Sequence, residues 1–106
     1  MVVTFEKKYL QELYEVGKTS DKKHRFQPAI IKKYQFCIDI LKGVSGLEAL
    51  YPIKSLRYEV LHGDKEGISS ISVNMQYRIE FVVNNTSDDF VISVCNILEL
   101  SNHYKS

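Results

Sequence analysis

The sequence predicts an α+β domain in which two N-terminal helices pack on one face of a mainly antiparallel sheet of four to five strands. Three observations carry this. Apolar residues recur at three- and four-residue intervals up to Gly43, then at two-residue intervals from Ser55 onward. The later β-prone runs are separated by only two to six residues, room for hairpins but not for parallel crossovers. A chain of 106 residues can bury one core and not two, so residues 1–106 form a single domain.

In order, VVTF (2–5) is a short β-prone start. From there Phe5, Tyr9, Leu13 and Val16 make one helical stripe, and Gly17 is placed to stop it. KTSDKKHRFQ (18–27) is polar and basic, a loop. Pro28 suits the first turn of a second helix, which carries Ile30, Tyr34, Cys37 and Leu41 on one face. Ile31 and Ile38 lie beside that stripe, and Gly43 is near its end. Residues 46–52 (GLEALYP) have room for no more than a turn of helix.

The strands follow. SLRYEVL (55–61) alternates Leu56, Tyr58 and Val60 against Arg57 and Glu59, and GDKEG (63–67) has turn composition. ISSISVN (68–74) alternates Ile71 and Val73 with serines. YRIEFVV (77–83) puts Tyr77, Ile79, Phe81 and Val83 on one face and Arg78, Glu80 and Val82 on the other. NNTSDD (84–89) is a polar hairpin loop, FVISVCNIL (90–98) a nearly continuous apolar strand, and ELSNHYKS (99–106) a polar tail. If the helices cover Ile79 and Phe81, Arg78 belongs on the open face and not in the core.

Composition narrows the function. The chain is 44% hydrophobic and 25% charged, ordinary for a globular protein. No window approaches the roughly 18 apolar residues of a membrane span, and MVVTFEKKYL lacks the pattern of a secretory signal, so a cytoplasmic protein with no membrane partner is expected. Cys37 and Cys95 lie 58 positions apart with no CxxC or Cys/His spacing; they are expected as buried free thiols, with no metal. There is no Walker loop, GxSxG, HExxH or dinucleotide fingerprint, and no cofactor is implied. The net charge of +1 is unevenly spread: residues 1–65 carry 12 Lys/Arg against 8 Asp/Glu, residues 66–106 carry 2 against 5. Arg78 is thus nearly alone among acids.

The open face gathers Arg78 and Glu80, with Arg57, Glu59, Ser70 and Ser72 if their strands share its phase. The turn before it adds His62, Asp64 and Lys65, and the last strand leads to Glu99 and His103. Arginine can grip a phosphate in a bidentate fork, and histidine titrates near neutral pH. Together they suit attack of an RNA 2′-hydroxyl on its adjacent phosphate without a metal. Cross-strand Arg/Glu pairs that merely solvate a sheet face account for the same residues. His24, within KKHR, is either a solvated loop residue or a phosphate contact beside Lys22, Lys23 and Arg25.

The segment LHGDKEGISSISVNMQYRIEF (61–81) resembles the RelE/ParE superfamily of bacterial toxins, nearest its HigB (plasmid maintenance killer) branch. The positions that carry the likeness are Leu61, Gly63, Asp64 and Gly67, then Ser70-Ile71-Ser72-Val73, then Tyr77-Arg78-Ile79-Glu80-Phe81. The resemblance implies a RelE-like fold and the toxin of a type II toxin–antitoxin system, typically a ribosome-dependent endoribonuclease that cuts translated mRNA. It places Arg78 on the family's phosphate-binding arginine. It places His103 on the catalytic histidine of a C-terminal Asp-Tyr-His, whose Asp and Tyr are absent here. Lys54, Arg57, His62, Lys65, Tyr77 and Tyr104 are the implied RNA contacts. The implied partners are a helix-turn-helix HigA-type antitoxin, the ribosome and mRNA, with operator DNA met only through the antitoxin complex. Two alternatives stand beside the nuclease: a ParE-type inhibitor of DNA gyrase, and a degenerate toxin that acts only as a co-repressor.

Overall fold

In a computed structural model that describes residues 1–85 and 92–102, the order of elements is a strand, two helices and then four strands. β1 (Val2–Phe5) leads to α1 (Lys8–Glu15) and α2 (Pro28–Gly43); β2 (Glu59–Val60), β3 (Ser69–Ser72), β4 (Tyr77–Asn85) and β5 (Ser93–Asn102) follow. The sheet order is β1-β5-β4-β3-β2, antiparallel except for β1 beside β5. β4 and β5 are the long central strands, and β1 joins them only after the chain has passed through both helices. None of the helices is long and apolar enough to cross a membrane among the described residues.

Local chemistry explains the helix limits. Gly17, at φ +83°, takes the left-handed position after α1, and its N–H joins that of Val16 on the Glu12 carbonyl. Pro28 opens α2, where a missing N–H costs nothing. Most of the predicted stripes are buried: Tyr9 and Leu13 with Leu10 on α1, and Tyr34, Cys37 and Leu41 with Ile38 on α2, Ile30 being half-buried. Phe5, predicted to start the first stripe, ends β1 instead, because the helix begins only at Lys8. Val16, predicted to extend the first stripe, is exposed because α1 ends before it. The helices are tied by the Tyr34 hydroxyl, which donates to the Leu10 carbonyl at 2.7 Å in the core. Burial pushes the Tyr34 phenol well above its ordinary pKa. Tyr34→Phe is expected to cost about 1–2 kcal/mol in denaturant unfolding, because it leaves that carbonyl without its donor.

The core lies between the helices and one sheet face, where Ile71, Ile79, Phe81, Cys95 and Ile97 are fully buried. Both cysteines are free, and burial raises the thiols of Cys37 to about 11 and Cys95 to about 12. A β-bulge sets the register of β5: pairing steps from Glu80 with Glu99 to Phe81 with Ile97, skipping Leu98. Strict alternation from Cys95 and Ile97 would drive Glu99 into the core. The extra residue puts Leu100 there instead and turns Glu99 to the other face.

Three expectations are corrected. The strand predicted over 55–61 is largely a 3-10 turn (Lys54–Leu56) followed by only two residues of strand. The break comes at Arg57, which is left-handed at φ 45°, ψ 52°. The polar tail is strand as far as Asn102, because Glu99–Asn102 completes the pairing with Tyr77–Glu80. Asn84 and Asn85 likewise belong to β4, not to a loop; the rest of that predicted loop, 86–89, lies outside the described residues.

Candidate functional site

Arg78 does stand on the sheet face opposite the helices, but it is not open. Only 9% of its surface is exposed, because residues 57–65 fold back over that face. The expectation of an exposed arginine is therefore corrected: a second, polar layer covers it. The registers build this layer. Ser72 stands opposite Arg78, Ser70 opposite Glu80, and Glu59 opposite Ser70, so all five share one face.

Arg78 is fixed at two corners of its guanidinium. Nε donates to the Ser70 hydroxyl at 2.5 Å, and Nη2 donates to the carbonyls of Arg57 at 2.6 Å and Ser70 at 3.2 Å. These bonds do not use Nη1. Its charge is met by the Glu59 carboxylate, 3.7 Å from Nε and half exposed. The left-handed backbone of Arg57 explains the 2.6 Å bond: that conformation aims its carbonyl into the fork, at a steric cost of order 1–2 kcal/mol.

Beside this pair sits a second. The Lys65 ammonium donates to both Glu80 oxygens, at 3.0 and 2.9 Å. Those bonds raise the Lys65 pKa above its ordinary value against a smaller effect of desolvation. Glu80 directly opposes Glu99 on β5, a like-charge pairing that the nearby ammonium offsets. Both cations are thus partnered by carboxylates in a pocket of about 270 Å³ lined by Arg78, Lys65, His62, Glu59, Glu80 and Ser70 among others. A buried, hydrogen-bonded guanidinium whose counter-charge is a half-exposed carboxylate can exchange that carboxylate for another anion with little rearrangement.

Of the residues singled out in the sequence, the fold brings together Arg78, His62 and Lys65. Tyr77 adjoins them, lining a neighbouring cleft that shares Lys65. Arg57 serves the pocket through its carbonyl, and the residue also lines a largely apolar groove with Phe36, Ser72 and Met75. Lys54 opens the preceding 3-10 turn and does not line the pocket. His103 and Tyr104 lie outside the described residues. His24 is neither free nor simply solvated: its ring stacks on Tyr9 with centroids 3.6 Å apart, and Nδ1 is 3.0 Å from Asp21. Sequence reasoning missed Ser101 and Asn102 of the pocket wall and had Leu61 only as a motif position. Ser101 was legible in the alternation that runs on past Leu98, had the bulge been anticipated; Asn102, on the opposite parity at the strand's end, was not.

Comparison with known proteins adds an independent line. Residues 3–93 match the family model of HigB-like toxins, the RelE-like toxin of type II toxin–antitoxin system HigB. The chain is 35% identical over 82 residues to Toxin HigB-1 of Vibrio cholerae, covering 76% of this chain and 82% of that protein. Two solved structures share the fold at 19% identity: a YoeB/ParE toxin from Agrobacterium tumefaciens (TM-score 0.59, 98% of this chain and 100% of that one) and a YoeB–YefM complex from Staphylococcus aureus (TM-score 0.57, 98% of each).

Proposed function

The chain belongs to the HigB-like family of RelE-like toxins of type II toxin–antitoxin systems, and from that premise we propose that it is a ribosome-dependent mRNA endoribonuclease. The observation that carries the reading is Arg78: a buried guanidinium, locked by Ser70 and the Arg57 carbonyl, with Lys65 and His62 in the same pocket. A scissile phosphate takes the place of Glu59 on Arg78. The 2′-hydroxyl gives its proton to a base and attacks the phosphorus, the P–O5′ bond breaks, a 2′,3′-cyclic phosphate forms, and the 5′-oxygen takes up a proton from an acid as it leaves. Arg78 stabilises the charge that grows on the phosphoryl oxygens. His103 is the proposed general acid or base, and His62, Lys65, Tyr77 and Tyr104 position the RNA. Lys54 and Arg57 contribute backbone contacts from outside the pocket. The neutralising partner is a helix-turn-helix HigA-type antitoxin, through which the pair reaches operator DNA.

Mapping of mRNA 5′ ends after induction tests this. New ends inside translated reading frames, absent when translation is blocked before induction, are the expected result. Intact transcripts with DNA supercoiling by gyrase inhibited in vitro would replace the nuclease with a gyrase poison. Intact transcripts with no toxicity would leave a co-repressor.

A further inference from the structure

We propose that the cleft between the α1–α2 loop and the ends of β4 and β5 is a second nucleotide subsite for single-stranded mRNA. In it, Lys23 and Arg25 take backbone phosphate, and the Phe26–Tyr77 pair takes the adjoining base. The inference rests on the nuclease reading above and extends it to the nucleotide next to the one held at Arg78.

The cleft has a volume of about 440 Å³ and is lined by Lys23, His24, Arg25, Phe26, Tyr77 and Glu99, among others. It shares Lys65, Ser101 and Asn102 with the Arg78 pocket, so a chain bound in one passes directly into the other. That continuity favours the RNA being cut over ribosomal RNA met elsewhere.

The loop is pinned, not merely draped. Asp21 accepts from the Lys23 N–H at 3.0 Å and lies 3.0 Å from His24 Nδ1, and the His24 ring is flat on Tyr9, with 8° between the planes. Those bonds, the one to His24 foremost, hold the Asp21 carboxyl below its ordinary value. An anchored His24 therefore stands between two exposed cations that both line the cleft. Phe26 and Tyr77 meet edge to face, 5.4 Å apart at 81°, and both are only partly buried. Both rings pack against the core and line the cleft with their exposed parts, and exposed aromatic surface is where a base can stack. Of the acids nearby, Asp21 is paired with His24, while Glu99 lines the cleft facing Glu80, beside the Lys65 ammonium that Glu80 holds. Cationic groups flanking an aromatic pair match one nucleotide's phosphate and base.

The test uses the whole protein and a short single-stranded oligoribonucleotide whose 2′-O-methyl groups block cleavage, titrated across a range of salt. K23A/R25A is expected to bind about ten-fold more weakly. Its salt slope should be shallower by about 0.7 to 1.4, according to whether the two cations share a phosphate or take two. K23R/R25K should restore both. Phe26→Leu should also weaken binding roughly ten-fold but leave the slope unchanged, because it removes stacking and no charge. Equal affinity and slope in wild type and K23A/R25A would overturn the subsite, as would no binding by the wild type. Loss of affinity for empty ribosomes with oligonucleotide binding intact would overturn it too, in favour of a ribosomal RNA contact. Cleavage on translating ribosomes, measured separately, reports on the nuclease reading, so either failure is recognisable alone.

Discussion

Arg78→Ala is expected to abolish growth inhibition and to slow cleavage of ribosome-bound mRNA by roughly 100- to 1,000-fold. The magnitude follows from what the side chain is. It is the one guanidinium in a pocket otherwise lined by a single ammonium, a histidine, carboxylates and small polar groups among the described residues. Its guanidinium is held in place by Ser70 and the Arg57 carbonyl, so on the nuclease reading little reorganisation is needed as phosphoryl charge develops. The variant should also lose about 1–3 kcal/mol of stability, since the Arg57 carbonyl and the Ser70 hydroxyl give up a charged donor. Folding and antitoxin binding should survive that. Arg78→Lys separates charge from geometry: an ammonium cannot reach Ser70 and the Arg57 carbonyl as a planar fork does, so it should remain severely impaired. Undiminished toxicity in Arg78→Ala, with the protein folded, would remove this pocket from the mechanism.

Phe81→Ala, three residues along the same strand, should abolish toxicity for the opposite reason. The ring is fully buried on the helix-facing side of β4, beside Ile97 across the bulge. Removing it costs about 3–5 kcal/mol in lost transfer energy and residual cavity. A domain of this size has only about 5–15 kcal/mol in all. The thermal midpoint should therefore fall by more than about 10 °C. A melting curve distinguishes the two variants: Arg78→Ala stays folded and inactive, while Phe81→Ala loses toxicity to the extent that it is unfolded at the growth temperature. A shift of only a degree or two would contradict the placement of Phe81 in the core.

The face assignment that separates these two residues was legible before any coordinates. Period-two alternation in YRIEFVV puts Arg78 and Phe81 on opposite sides, and the condition that the helices cover the Phe81 side is met in the core. The alternation is a local property, set by backbone periodicity. What alternation could not supply was the exposure of Arg78. The residues that bury it come from 57–65, more than ten positions earlier, and they arrive there because Arg57 turns left-handed instead of continuing a strand. No composition rule marks an arginine for that conformation. It is stabilised by the contact it makes.

The last strand shows the same division. Its apolar run was evident, but its phase was not, because a single skipped residue at Leu98 changes the parity of everything after it. That bulge sends Leu100 into the core and Glu99 and Ser101 to the face of Arg78, where a straight strand would have done the reverse. By itself, then, the sequence determined the class of fold, the stop at Gly17 and the start at Pro28, the two faces of β4 and the toxin motif, all of which rest on short-range spacing. Only the tertiary structure decided that Arg78 is buried and pre-bonded, that Arg57 acts through its carbonyl, and that the α1–α2 loop meets the ends of β4 and β5. Each of those depends on contacts between residues far apart in the chain, whose geometry exists only once the sheet has closed.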